Sequence, residues 1–125
     1  MPVTRPLVLV AEDDFNVRLT LEIVLEDEGF ETLMAVDGEE ALAAARKSIP
    51  DVILLDQIMP KLDGRQVFEA LRADATTRDI PVLVLSGMER GVAAEWPGAE
   101  FVGKPFSPEE LVRRIRNVLP ADRSV

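Results

Sequence analysis

The sequence predicts an α/β domain in which helices cover both faces of a doubly wound, five-stranded parallel sheet. Uninterrupted runs of Val, Ile and Leu, without polar alternation, are typical of strands that are buried on both faces. Such runs alternate five times with stretches whose apolar residues recur at helical spacing. Right-handed crossovers then bring the carboxyl ends of all strands to one edge of the sheet, where open α/β sheets bind ligands.

The first predicted strand is the apolar run Leu7–Ala11. The helix after it has apolar residues at positions 17, 21, 24 and 25, which fall on one helical face. A short second strand is predicted at 32–35. Asp37 then has the character of a helix cap, and a second helix is predicted from 39 to about 47.

The third predicted strand, Val52–Asp56, has four consecutive aliphatic residues and ends on a carboxylate. We interpret it as a strand that is buried on both faces of a parallel sheet. A helix is predicted from 64 to about 74, with apolar residues at positions 67, 68 and 71 facing inward. The fourth aliphatic run, at 82–85, ends on Ser86.

The last third of the chain is less regular. Residues 88–96 are weakly helical because Gly91 interrupts them, so the fourth helix is predicted to be shortened and irregular. A short fifth strand at 101–103 leads into Lys104. The final helix has strong start signals, with Ser107 as its cap and Pro108 at its first position.

Composition excludes several classes of function. The 125 residues include neither cysteine nor histidine, which excludes disulfides, thiolate or His-ligated metal sites and Ser-His catalysis. The net charge of -9 argues against direct binding of nucleic acid. The polar start is unlike a signal peptide, and no apolar run is long enough to span a membrane. We therefore expect one cytoplasmic domain over 1–125, with its core at about 7–119 and no membrane partner.

Polar side chains follow four of the five predicted strands, where the strands meet one edge of the sheet. They are Glu12 and Asp13 after the first strand, Asp56 on the third, Ser86 on the fourth and Lys104 after the fifth. Three neighbouring carboxylates repel one another, and a hard divalent cation such as Mg²⁺ removes that cost. The pattern therefore favours a cation site with a hydroxyl and an ammonium group beside it.

Each of these residues also has a plainer structural interpretation. Asp56 could serve only to start a turn, and Asp13 or Asp14 could serve to cap the first helix. Ser86 could be an ordinary turn residue, and Lys104 a solvated loop charge. No single residue decides between these interpretations, but their joint occurrence at matching strand ends favours a site.

These motifs resemble the receiver domain of two-component response regulators, of the chemotaxis-type, single-domain kind, over about 7–119. The residues that carry the resemblance are Glu12-Asp13-Asp14, Asp56 followed by Met59-Pro60 and Asp63-Gly64, Ser86, and Lys104-Pro105-Phe106. The resemblance implies a flavodoxin-like fold with strand order 2-1-3-4-5.

The resemblance also implies the role of each residue. Asp56 would be the phosphoacceptor, and Mg²⁺ (or Mn²⁺) would be its cofactor. The metal ligands would be Asp13, Asp56, the backbone carbonyl of Ile58 and, through water, Glu12. Lys104 and Ser86 would contact the phosphoryl group. Ser86 and Phe101 would form the switch, although Phe101 could equally be plain core, and the Lys104-Pro105 bond is a candidate for the cis form.

The resemblance implies a phosphohistidine donor. Because this chain has no histidine, we expect that donor to be a separate protein, a histidine kinase or a histidine phosphotransfer protein. The predicted output is an altered contact with a downstream protein. The segment between Ser86 and Lys104 is shorter than the resemblance implies, so we expect any phosphorylation-dependent dimer to have an atypical geometry. The family often has polar residues at the positions of Ile58 and Met88, and their apolar side chains here predict slow self-dephosphorylation.

Two other functions fit parts of the sequence. A Mg²⁺-dependent aspartyl phosphohydrolase would also use Asp56 as nucleophile, but such enzymes usually carry a second acid where this chain has Ile58. A pseudo-receiver would keep the fold as an unphosphorylated interaction domain. The complete set of polar residues at the strand ends argues against it. We therefore expect a switch that catalyses only its own phosphorylation and dephosphorylation.

Overall fold

The computed structural model describes residues 5–57, 59, 61–87, 96 and 98–119, which form five strands and four helices. The strands are β1 (Leu7–Ala11), β2 (Glu31–Ala35), β3 (Val52–Asp56), β4 (Val82–Ser86) and β5 (Glu100–Gly103). The helices are α1 (Phe15–Asp27), α2 (Gly38–Ser48), α3 (Gly64–Ala73) and α4 (Pro108–Val118). The shortened helix predicted at 88–96 falls almost entirely on residues 88–95, which lie outside the described residues.

The sheet is parallel throughout, and its strand order is β2-β1-β3-β4-β5. This confirms the predicted fold and strand order. All five residues of β3 are buried, as expected for the central strand. The register pairs Ala11 with Leu55 and Asp56 with Leu85, so the carboxyl ends of β1, β3 and β4 lie side by side.

Each face of the sheet packs against its own pair of helices. Ile53 and Leu55 belong to the core beneath α2 and α3, which we call the α2–α3 face. Val52 and Leu54 belong to the core beneath α1 and α4, the α1–α4 face. Side chains alternate between the two faces along each strand. This alternation decides on which face each polar residue beyond the core lies.

Side-chain caps fix where the helices begin. Asp14 caps α1 and Ser107 caps α4, each accepting a hydrogen bond from backbone N–H groups of the first turn. Asp37 caps α2 as predicted. A complete capping box joins Asp63 and Gln66 at the start of α3, which the sequence analysis did not anticipate. Among the described residues, no helix combines the length and apolar character that crossing a membrane requires.

Candidate functional site

Three carboxylates meet at the carboxyl edge of the sheet. Carboxylate oxygens of Glu12, Asp13 and Asp56 all lie within 4.8 Å of one another. Glu12 is 2% exposed and Asp56 is 6% exposed, whereas Asp13 faces solvent. The structure thus brings together the three acidic residues that were predicted to share this edge, and Asp13 is the member exposed to solvent.

Strand alternation explains why Lys104 reaches this cluster. Continued past the strand ends, the alternation places Glu12, Asp56 and Lys104 on the α1–α4 face, in line with Val10, Leu54 and Val102. Lys104 Nζ lies 3.2 Å from Asp56 Oδ1 and 3.4 Å from Glu12 Oε1. The ammonium group therefore bridges two buried carboxylates.

The turn after β1 is held by hydrogen bonds that keep its acidic residues in place. The Asp14 N–H donates to Glu12 Oε2 at 3.2 Å. Arg18 Nη1 donates to the carbonyl oxygens of Glu12 (3.0 Å) and Asp13 (2.9 Å). Arg18 thus positions the acidic turn from the first turn of α1, a role that the sequence analysis missed.

Burial and neighbouring charge alter the acid–base properties of this cluster. Burial raises the pKa of Glu12 to about 7, and the hydrogen bond and negative charge of Asp56 add to the increase. The N–H of Asp14 and the charge of Lys104 oppose it. For Lys104, burial lowers the pKa, but hydrogen bonds and charges from Asp56 and Glu12 raise it by more, so the group stays ammonium.

The raised pKa of Glu12 predicts that the stability of the metal-free protein, measured in the presence of a chelator, depends on pH. Between its ordinary pKa of 4.5 and about 7, Glu12 holds a proton in the folded state but not in the unfolded chain. The free energy of unfolding is therefore expected to fall as pH rises through this window, by on the order of 1–3 kcal/mol. Urea unfolding at a series of pH values measures the slope.

Two variants separate Glu12 from the other acids. The Glu12→Gln variant should lose this part of the slope, because its side chain does not titrate. Glu109→Gln removes an exposed carboxylate of α4 and should keep the wild-type slope. Equal slopes in the wild type and Glu12→Gln would show that Glu12 is not the group responsible.

Ser86 lies at the same edge but is engaged elsewhere. Its side chain is buried, and its hydroxyl donates a hydrogen bond to the side-chain carbonyl oxygen of Gln57. Its own carbonyl oxygen accepts from the Lys104 N–H at 2.8 Å, which ties β4 to the end of β5. Gln57 was not among the predicted site residues, although it directly follows Asp56.

Phe101 is half-buried and packs against Trp96. The two rings meet edge to face with centroids 5.4 Å apart, and Trp96 also lies 5.4 Å from Phe68. This aromatic contact fits both a core role and a switch role, so the switch role of Phe101 stays a prediction. The Lys104-Pro105 bond is cis.

The donor set suits a hard divalent cation. All three clustered groups offer carboxylate oxygens, the ligands that Mg²⁺ and Mn²⁺ accept. Burial, with the neighbouring Asp56, raises the pKa of Glu12 because the charged form of this carboxylate is disfavoured there, a cost that a bound cation would offset. Ile58, whose backbone carbonyl was predicted as a further ligand, lies outside the described residues.

Nearly the whole chain is similar to a known protein family and to known regulatory proteins. The model of the response regulator receiver domain matches residues 8–116. The transcriptional regulatory protein PrrA of Mycobacterium tuberculosis is 45% identical over 121 residues, which cover 94% of this chain and 51% of PrrA. The DNA-binding response regulator MtrA of Mycolicibacterium smegmatis is 39% identical over 123 residues, which cover 93% of this chain and 51% of MtrA.

Solved structures agree on the same architecture. The chemotaxis protein CheY4 of Vibrio cholerae superposes with a TM-score of 0.86 at 31% identity, covering 93% of this chain and 100% of CheY4. The chain thus spans about half the length of the curated relatives it matches but the whole of CheY4. The family resemblance inferred from the strand-end residues is confirmed.

Proposed function

Because this chain belongs to the response regulator receiver domain family, we propose that it is a phospho-acceptor switch of two-component signalling. Its phosphoacceptor is Asp56, and it works with Mg²⁺ or Mn²⁺. The surroundings of Asp56 are the main support for this proposal. This carboxylate ends the central strand, lies 3.2 Å from the Lys104 ammonium and clusters with two further carboxylates.

The proposed reaction forms an aspartyl-phosphate. A carboxylate oxygen of Asp56 forms a bond to phosphorus, while the bond from phosphorus to a donor imidazole nitrogen breaks and its electrons stay on that nitrogen. Phosphoryl transfer depends mainly on positioning and on neutralising charge. Lys104, 3.2 Å from Asp56 Oδ1, would offset negative charge on the phosphoryl oxygens, and the Ser86 hydroxyl would donate to one of them after leaving its present partner.

The cation would be held by residues of the same edge. Asp13 and Asp56 would bind it directly, Glu12 through water, and the carbonyl of Ile58 would be a further ligand. When bound, Mg²⁺ supplies positive charge to the carboxylates and to the phosphoryl oxygens. Buried Glu12 would also hold Lys104 in position, since its Oε1 lies 3.4 Å from the Lys104 ammonium nitrogen.

We propose a separate protein, a histidine kinase or a histidine phosphotransfer protein, as the phosphodonor. A candidate docking surface borders the site on α1. Phe15, Leu19 and Ile23 are 64%, 42% and 60% exposed, and their four-residue spacing puts them on one side of the helix. Contiguous exposed apolar residues mark interaction surfaces. Since α1 begins directly after the acidic turn, a protein bound there would lie beside Asp56.

This docking surface predicts a selective defect. Phe15→Ser is expected to slow phosphoryl transfer from a phosphotransfer protein by about tenfold or more, as loss of a buried interface anchor does. With acetyl phosphate, which needs no protein contact, the rate should change little. Both rates are measured on the same preparations by intact mass.

Ile49→Ser is the matched control for Phe15→Ser. Ile49 is also an exposed apolar residue, at 45%, but it follows α2 and precedes β3, at the opposite edge of the sheet. It should leave both rates unchanged. Equal losses with the protein donor and with acetyl phosphate would show that Phe15 supports the site itself and not docking.

We further propose that the domain, with its core at about 7–119, works in the cytoplasm by changing its contact with a downstream protein. Neither direct nucleic-acid binding nor turnover of an external substrate is part of this function. The net charge of -9 supports the first point. Any dimer that forms on phosphorylation is proposed to have an atypical geometry. The shortened segment behind this idea includes residues 88–95, which lie outside the described residues.

Intact-mass spectrometry after incubation with acetyl phosphate tests the proposed function. We expect one phosphoryl adduct that requires Mg²⁺ and is absent from Asp56→Asn. No adduct, under conditions that label another receiver domain, would favour an interaction domain that is never phosphorylated. Steady hydrolysis of a generic phosphate ester would instead favour the phosphohydrolase.

A further inference from the structure

The Ser86 hydroxyl, which should contact the phosphoryl oxygens, donates its hydrogen bond to the side chain of Gln57. We propose that Gln57 is a positioning residue that holds Ser86 away from Asp56 until phosphorylation, so that its side chain opposes the active conformation. This inference rests on the proposed function. It assigns to Gln57 a role that its position in the sequence alone does not indicate.

The strand register explains the pairing of these two side chains. β3 and β4 pair Asp56 with Leu85, so the next step of the register places Gln57 beside Ser86. By strand alternation both lie on the α2–α3 face, in line with Leu55 and Val84. Asp56 lies on the opposite, α1–α4 face. Ser86 therefore has to turn from its own face of the sheet to contact a phosphoryl group on Asp56.

The backbone of Gln57 is fixed from two sides. Its N–H donates to the Leu85 carbonyl oxygen at 3.2 Å, and its own carbonyl oxygen accepts from the Gly64 N–H at 2.9 Å. A Cβ atom added at Gly64 would lie 2.9 Å from the Gln57 Cα, so the start of α3 packs directly on this residue. The Gln57 amide thus extends to Ser86 from a backbone that is held at both its N–H and its carbonyl, which favours this hydrogen bond in the unphosphorylated state.

The two possible acceptors of the Ser86 hydroxyl compete. A serine hydroxyl has a single proton to donate, so it donates to the Gln57 amide or to a phosphoryl oxygen. The charged oxygen is the stronger acceptor, and phosphorylation should therefore displace Gln57. Breaking the Ser86–Gln57 hydrogen bond costs free energy, and the new contact with the phosphoryl group must offset that cost. Removing the amide should make the active conformation easier to reach.

Binding of beryllofluoride, a phosphoryl mimic, in the presence of Mg²⁺ tests this inference. Gln57→Met keeps the length of the side chain but removes the amide acceptor. We expect its dissociation constant for beryllofluoride to be about fivefold lower than that of the wild type, which corresponds to one neutral hydrogen bond. In a Ser86→Ala background the same substitution should have no effect, because no hydroxyl remains to be held. Isothermal titration calorimetry on all four proteins gives this cycle.

An unchanged or higher dissociation constant for beryllofluoride in Gln57→Met would overturn the inference. An equal fall in the dissociation constant with and without the Ser86 hydroxyl would also overturn it. The second result would mean that Gln57 acts through packing alone. If the wild type itself fails to bind beryllofluoride, the proposed function fails together with the inference. Wild-type binding without a Gln57 effect removes only the inference.

Discussion

Replacing Asp13 with asparagine is expected to weaken Mg²⁺ binding by about tenfold or more, since even residues that only support a metal ligand typically contribute this much. Asp13 is the exposed member of the three-carboxylate cluster, within 4.8 Å of the oxygens of Glu12 and Asp56. Because Asp13 is exposed, a cation bound by its carboxylate could keep several of its water ligands. The amide of asparagine keeps the shape but loses the charge. Isothermal titration calorimetry with MgCl₂ measures the change.

Asp14→Asn is the matched control for this experiment. It removes the same charge one residue further along the chain, and asparagine caps a helix as well as aspartate does. Asp14 is committed to the start of α1, where its side chain accepts from the Asn16 and Val17 N–H groups. The affinity of the Asp14→Asn variant for Mg²⁺ should therefore stay within about twofold of the wild-type value. Equal losses in the two variants would point to a general effect of negative charge instead of ligation by Asp13.

Gly64→Ala is expected to lower the free energy of unfolding by about 1–3 kcal/mol, the usual cost of forcing extra volume into a packed region. A Cβ at this position would lie 2.6 Å from the carbonyl oxygen of Asp56 and 2.9 Å from that of Gln57. Both are backbone atoms at the end of the central strand, and they cannot move aside without moving Asp56, the proposed phosphoacceptor. The same variant should therefore also slow phosphorylation by acetyl phosphate. Urea unfolding gives the stability.

Gly103→Ala shows whether the loss is specific to close packing. Gly103 ends β5 at the same edge of the sheet, but among the described residues, its two chain neighbours aside, no atom lies within 4 Å of a Cβ built there. This variant should be neutral or slightly stabilising, because alanine restricts the unfolded chain more than glycine does. If Gly103→Ala and Gly64→Ala lose the same stability, the contact with Asp56 and Gln57 is not the cause.

The fold was predictable from sequence because its strands are buried on both faces. The aliphatic run Val52–Asp56 is typical of a parallel strand that is buried on both faces, and its alternation with helical stripes predicted the architecture. The strand order came from the family resemblance. Strand ends were less certain, since β2 and β5 each begin one residue earlier than predicted. Hydrogen bonding to a neighbouring strand, which the sequence does not show, decides those boundaries.

The acidic cluster was predictable for a related reason. Parallel strands bring their carboxyl ends together, so Glu12, Asp56 and Lys104 could be placed at one edge without coordinates. Residues that act through a partner from another element were not predictable in this way. Gln57 reaches Ser86 because the β3–β4 register puts the two residues side by side. Arg18 reaches the acidic turn because its guanidinium, on the first turn of α1, donates to the carbonyl oxygens of Glu12 and Asp13.

The exposed residues of α1 show a further limit. The apolar stripe at positions 17, 21, 24 and 25 identified the buried side of the helix, and both of its leucines are buried. Phe15, Leu19 and Ile23 lie on the solvent side, so α1 is apolar on two sides. A sequence pattern shows that such residues recur, but only the packing of the helix shows which stripe the core already covers.

A crystal structure of the protein with Mg²⁺ and beryllofluoride tests the central claim most directly. We expect beryllium on a carboxylate oxygen of Asp56, with Mg²⁺ bound by that residue and Asp13. We also expect Lys104 and the Ser86 hydroxyl to contact the fluorine atoms, with Ser86 separated from Gln57. Beryllofluoride bound away from Asp56, or no adduct at saturating concentrations, would contradict the assignment of this strand end as the phosphoacceptor site.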